Sequence, residues 1–127
     1  MNRETARNQL KMFGDITTEY GAHHNIFLIG PPTVGKTTLG DWYFNYLDVE
    51  PTYITGDRFE VINTAIEHDQ FLFVDEIQGL RNTELLYPFL ISEFNTTFFC
   101  TIPKYLKGID EALLRMCFIL EIEHEEE

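Results

Sequence analysis

Residues 30 to 37 read Gly-Pro-Pro-Thr-Val-Gly-Lys-Thr, a G-x-x-x-x-G-K-[ST] run. Such a loop cradles phosphate only where a strand delivers it and a helix begins on it, because its backbone N–H groups must converge on one anion. The flanking residues meet both demands. Asn25 to Ile29 is an apolar run suited to a buried parallel strand, and from Lys36 onward no proline or glycine run stops a helix. The motif assigns Gly30, Pro31, Pro32, Thr33, Val34, Gly35, Lys36, Thr37 and Thr38 to nucleotide contact. Lys36 is expected to reach the outer phosphates and the Thr37 hydroxyl to ligate magnesium. ATP with Mg2+ is the expected ligand.

Thirty-eight residues beyond Thr37, the apolar run Phe71-Leu72-Phe73-Val74 ends in Asp75-Glu76. A parallel strand of this kind carries both carboxylates to its carboxyl end, where the phosphate loop also opens. Asp75 suits the magnesium shell, and Glu76 suits orienting and deprotonating the water that attacks the terminal phosphate. Alone, the pair is an ordinary polar strand end; beside the loop it points to hydrolysis. Enzymes that phosphorylate a metabolite must exclude water, so a second glutamate favours an ATPase over a small-molecule kinase. Thr101 ends another apolar run and could hydrogen-bond the attacking water or the terminal phosphate, or merely cap its strand. Arg115, closing Glu111-Ala112-Leu113-Leu114-Arg115, could face its own chain or a neighbour's ATP, where it would stabilise transition-state charge.

A chain of 127 residues fits one domain and buries a core without staples. No stretch approaches the ~18 apolar residues of a membrane span, so no membrane contact is expected. Residues 1 to 21 are polar and mixed in charge rather than a secretory leader, which implies a cytoplasmic location. Cys100 and Cys117 lie in apolar runs without C-x-x-C spacing and read as reduced core residues. His23 and His24 are adjacent at a strand entrance and point to opposite faces, a poor metal pair. The net charge of -12 argues against a basic coat for indiscriminate nucleic-acid binding while leaving local contacts open. Arg58, Arg81, Lys104 and Lys107 could face a central pore, although solvated loop charges are the plainer reading. Glu121, Glu123, Glu125, Glu126 and Glu127 concentrate acid at the end, and 123–127 read as a solvated tail.

Periodicity predicts a helix over Asn2–Tyr20, with Leu10, Phe13, Ile16 and Tyr20 on one face and Gly21 as its stop. Further helices are expected over 36–47, about 58–68, 82–90 with a Pro88 break, and 110–115. Strands are expected at 25–29, 52–55, 70–74, 96–101 and 117–122. Trp42, Tyr43, Phe44 and Tyr46 read as packing rather than adenine stacking. Alternating strands and helices predict an α/β three-layer sandwich: a five-stranded parallel sheet, helices on both faces, and ligand sites at the strands' carboxyl ends.

Taken together, GPPTVGKTTL, FLFVDEIQGL, LLYP and the preceding Leu10-Lys11-Met12-Phe13 resemble an AAA+ ATPase, and within that class the core of the RuvB-type Holliday-junction branch-migration motor. The resemblance implies a P-loop NTPase with Lys36 and Thr37 as the Walker A pair and Asp75 and Glu76 as the Walker B pair. It also implies Thr101 as sensor 1 and Arg115, in LLRMC, as the arginine finger. Action in DNA replication or recombination follows, through a homo-oligomer or with AAA+ partner subunits, with DNA as a possible ligand.

The chain departs from that pattern in several places. Gln78 replaces a histidine usual after Walker B in the branch-migration family, and Thr33-Val34 stands where glycine plus another residue is usual. No room exists between Pro88 and the fourth strand for the β-hairpin of the branch-migration motor. With 1–122 read as a minimal AAA+ domain, the helical lid and winged-helix domain are expected to be missing. That leaves a viral or mobile-element miniature and a trimmed fragment both open. It also keeps open a non-hydrolysing, nucleotide-gated scaffold or regulatory subunit of a replication complex.

Overall fold

The computed structural model describes residues 1–56, 70–80 and 83–123. Helix α1 spans Arg3–Tyr20, strand β1 Asn25–Ile29, helix α2 Lys36–Tyr46, β2 Thr52–Thr55 and β3 Phe71–Asp75. Short 3-10 turns follow at Ile77–Gly79 and Thr83–Leu86, then α3 at Tyr87–Leu90 and β4 at Thr96–Thr101. A 3-10 stretch over Pro103–Gly108 leads into α4, Glu111–Arg115, and β5, Phe118–Glu121. Helix α1 starts where Asn2 Oδ1 accepts the Thr5 N–H at 2.9 Å, and stops where the Gly21 N–H reaches the Thr17 carbonyl at 2.9 Å.

The strands form one parallel sheet in the order β2-β3-β4-β1-β5. From β1 the chain travels to the far edge at β2, then returns through β3 and β4 and passes over β1 to β5. Because crossovers are right-handed, reversing the direction of travel reverses the face that carries the connection. The core divides accordingly. Ala6 and Leu10 of α1 and Leu39, Tyr43 and Phe44 of α2 pack with Ile26, Leu28, Phe73, Phe98 and Cys100 on one face. On the other, Phe27, Ile29, Val74 and Phe99 pack with Ile77, Leu86, Phe89, Ile109 and Leu113. Both faces are covered, so β4 is buried along its whole length.

Several boundaries differ from the sequence expectation. Strand β3 begins and ends one residue later than 70–74, which makes Asp75 a strand residue registered with Thr55. Strand β5 is shorter than 117–122, and α2 ends at Tyr46 with Leu47 as its cap. The helix expected over 82–90 divides into the 3-10 turn Thr83–Leu86 and one α turn at Tyr87–Leu90. Pro88 lacks the N–H that a continuous helix would pair with residue 84, so the chain restarts with proline in the first turn. Asn82, at its expected start, and the helix expected at about 58–68 lie outside the described residues. In the α2 cluster Tyr43 and Phe44 are buried, while Trp42 stacks on Tyr46 at 5.2 Å and carries the Arg7 guanidinium at 5.0 Å.

The two histidines precede β1 and take separate partners. His23 Nδ1 shares a hydrogen bond with Thr96 Oγ1 at 2.8 Å, and His24 Nδ1 one with Thr17 Oγ1 at 3.2 Å. Burial depresses both imidazoles' proton affinity below the ordinary value, and for His24 the neighbouring His23 adds to it. The folded state thus prefers both rings neutral, whereas the unfolded chain binds protons freely below its own pKa of 6.5. Their contribution is fully present above that pH and is lost progressively as pH falls below it toward the lower folded values. Urea midpoints measured from pH 7.5 to 5.5 should fall, and His24→Gln should flatten the slope.

Candidate nucleotide site

The phosphate loop turns between β1 and α2 through a 3-10 turn at Pro32–Val34, in which the Val34 N–H meets the Pro31 carbonyl at 3.3 Å. Gly35 follows at φ +75°, a left-handed conformation that a Cβ would strain. It also serves as the first cap of α2, whose first internal bond runs from the Leu39 N–H to the Gly35 carbonyl at 3.0 Å. The amides of Lys36, Thr37 and Thr38 precede that bond, as the orphan donors of a helix start. They sit at the positive end of an 11-residue helix dipole, a ready anion seat.

Lys36 is 8% exposed, and its Nζ donates to the Gly30 and Pro31 carbonyls, each at 2.8 Å. The side chain therefore curls back over its own loop, rather than extending outward as the motif alone suggests. Burial lowers its proton affinity, and Cys100 and Asp75 partly offset that. An arriving polyanion would remove the penalty. Thr37 Oγ1 donates to Asp75 Oδ2 at 2.7 Å, joining the loop to the end of β3. Asp75 Oδ1 accepts the Glu76 N–H at 3.0 Å, and Tyr53 donates from β2 to Oδ2 at 2.9 Å.

Glu76 leaves β3 at φ +52°, and the chain then enters the 3-10 turn Ile77–Gly79. A non-glycine residue held there costs on the order of 1 kcal/mol or more, a strain typical of functional positions. Gly56 supports this turn: its N–H donates to the Asp75 carbonyl at 2.9 Å, and a Cβ on it would lie 2.1 Å from the Glu76 carbonyl oxygen. Thr101 is buried at the end of β4, donating to Gln78 Oε1 at 2.8 Å, while its carbonyl accepts the Gly30 N–H at 3.2 Å. A cleft of about 340 Å³ opens among these groups, lined by Gly35, Lys36, Thr37, Asp75, Glu76, Gln78 and Thr101 with Cys100 and Tyr105.

Of the residues expected in the site, the fold brings the loop, Asp75, Glu76 and Thr101 together and leaves Arg115 elsewhere. Met116, next to it, accepts from Asn25 Nδ2 at 3.3 Å at the amino end of β1, whereas the phosphate loop leaves the carboxyl end. The five residues of β1 separate those ends by roughly 15 Å at about 3.3 Å per residue. Arg115 is 77% exposed and pairs with Glu111 at 2.8 Å. Lys104 lies over the Tyr105 ring at 5.0 Å, and Arg58 and Arg81 lie outside the described residues. Two site contacts were not legible in the sequence. Tyr53 read only as a strand residue and Gln78 only as a departure from a family pattern, because the register that brings each to its partner depends on strand order.

A parallel β2-β3-β4-β1-β5 sheet, with a phosphate loop after β1 and an acidic pair at the end of β3, is the P-loop NTPase fold in its AAA+ form. Among solved structures the chain is similar to RuvB of Thermotoga maritima. One variant superposes with a TM-score of 0.79 at 22% identity, over 98% of this chain and 45% of that one. The Holliday junction branch migration motor structure of the same protein superposes at 0.75 and 24% identity, over 96% and 45%. The AAA domain of FIGL-1 in complex with ADP superposes at 0.75 and 18%, over 98% and 54%. In sequence, 72 residues are 38% identical to the Holliday junction branch migration complex subunit RuvB of Fusobacterium nucleatum, half of this chain and 22% of that protein. The chain thus spans less than half the length of the RuvB proteins it matches, and no protein-family profile matches it. No helix among the described residues is long and apolar enough to cross a membrane.

Because Gly56 is pressed against the backbone of Glu76, Gly56→Ala must push the strand end apart. The expected loss is about 3 kcal/mol in chemical denaturation, while an alanine at Gly108, whose added Cβ meets nothing within 4 Å, should cost far less.

Proposed function

We propose that this chain is the nucleotide-binding core of an ATP-hydrolysing AAA+ motor that acts on DNA in recombination or replication, with sites completed by neighbouring copies or AAA+ partner subunits. The observation that carries this reading is the Thr37–Asp75 hydrogen bond at the mouth of a cleft that also holds Lys36 and Glu76. The RuvB likeness, extending over nearly all of the chain, supports the DNA-motor class.

In this reading the amides of Lys36, Thr37 and Thr38 hold the phosphate chain, and the Lys36 ammonium exchanges two carbonyl acceptors for phosphate oxygens. Thr37 and Asp75 offer hard oxygen donors that suit magnesium, which when bound neutralises charge on the phosphate oxygens. Glu76 orients the attacking water and takes its proton, and Thr101, held by Gln78, fixes that water from the β4 side. Arg115, facing away from its own cleft, serves the ATP of an adjoining subunit.

Purified protein is expected to hydrolyse ATP, with Lys36→Ala abolishing nucleotide binding and Glu76→Gln lowering turnover about 100-fold or more while binding persists. Equal background rates in all three would reject the enzyme, and tight ATP binding without turnover would select the regulatory scaffold instead. Mixing Arg115→Ala with Glu76→Gln chains should restore activity above that of either alone, since each supplies what the other lacks. No recovery would place the arginine outside the mechanism.

A further inference from the structure

Asp75 ends its strand on the rim of an open cleft, where a short carboxylate would ordinarily be free to rotate. It is held instead by three donors: the hydroxyls of Thr37 and Tyr53 on Oδ2, at 2.7 and 2.9 Å, and the Glu76 N–H on Oδ1 at 3.0 Å. A carboxylate has about four lone-pair sites, so these donors from the described residues fill both of Oδ2's and leave acceptor capacity on Oδ1 for a metal or its water.

Tyr53 is itself built into place. It stands opposite Phe73 in the parallel register, with ring centroids 5.1 Å apart and planes at 82°. Phe73 is fully buried under α2, where Gly40 admits its ring: a Cβ there would lie 2.3 Å from Phe73 Cζ. The phenol is thus aimed by a stack running from α2 through β3 to β2. The residue is 47% exposed, so its hydroxyl could be satisfied by water and still meets the carboxylate.

We propose that Tyr53 is a positioning residue for divalent metal: its hydroxyl, together with that of Thr37, fixes the Asp75 carboxylate through Oδ2 so that Oδ1 keeps acceptor capacity for the metal or its water. The proposal rests on the nucleotide reading of that cleft. A phenol suits the task because it donates without carrying charge, whereas a lysine or arginine at the same point would repel the cation.

Tyr53→Phe keeps the ring and its contact with Phe73 and removes only the donor. Binding of a fluorescent ATP analogue should be measured in EDTA and across a Mg2+ titration, alongside apo melting temperature. In Tyr53→Phe the metal-free affinity and melting temperature are expected to match wild type, while the Mg2+ concentration for half-maximal enhancement rises about tenfold. An unchanged Mg2+ midpoint overturns the proposal. So does a parallel loss of metal-free affinity and thermal stability, which would mark a purely structural tyrosine. Lys36→Ala separates the two levels: if it binds the analogue as wild type does, the phosphate-loop reading fails, and this proposal with it. If only Lys36→Ala loses binding and Tyr53→Phe is silent, the positioning role alone is rejected.

Discussion

The hydrogen bond from Thr37 to Asp75 ties the first turn of α2, which follows β1, to the end of β3, and it exists only because β1, β4 and β3 run parallel and side by side. Parallel pairing puts all their carboxyl ends on one edge of the sheet, so the loop after β1, the carboxylate of β3 and the hydroxyl of β4 meet there. Inserting β4 between β1 and β3 sets their spacing. This order sets the acid at the end of β3 across one intervening strand from the phosphate loop.

That edge is held tightly where it matters. Gly56 allows β2 to close on the backbone of Glu76, and Glu76 pays for its position with a left-handed conformation that turns the chain into the cleft wall. Behind the edge, the sheet is buried on both faces by two aromatic-rich clusters, which makes the strand ends a rigid platform rather than mobile loops. Lys36 shows the consequence: buried and bound to its own loop carbonyls, it is preorganised beside the anion seat while partly desolvated.

Arg115 lies at the other end of the same sheet. Its separation from its own cleft agrees with the proposed role on a neighbouring subunit, since one chain presents the loop at the carboxyl edge and a cation at the amino edge. The chain covers less than half of the RuvB proteins it superposes on.

Three strands, β1, β2 and β4, have the bounds their apolar runs imply, and the loop, Asp75, Glu76 and Thr101 were legible as a set because glycine, lysine, threonine and paired carboxylates at that spacing serve few other purposes. Local sequence was less informative where geometry is decided by neighbours. Pro88 replaced a predicted helix with a 3-10 turn and a single α turn, and β3 took in Asp75 because pairing with Thr55 satisfied one more residue. Tyr53 and Gln78 entered the site through strand order and register, which no single run of residues encodes. The sequence by itself determined the phosphate-loop and carboxylate motifs and most of the alternating elements, since both rest on residue type and short-range periodicity. Tertiary structure alone decided which side chains share the cleft and that Arg115 does not, because those follow from long-range strand pairing.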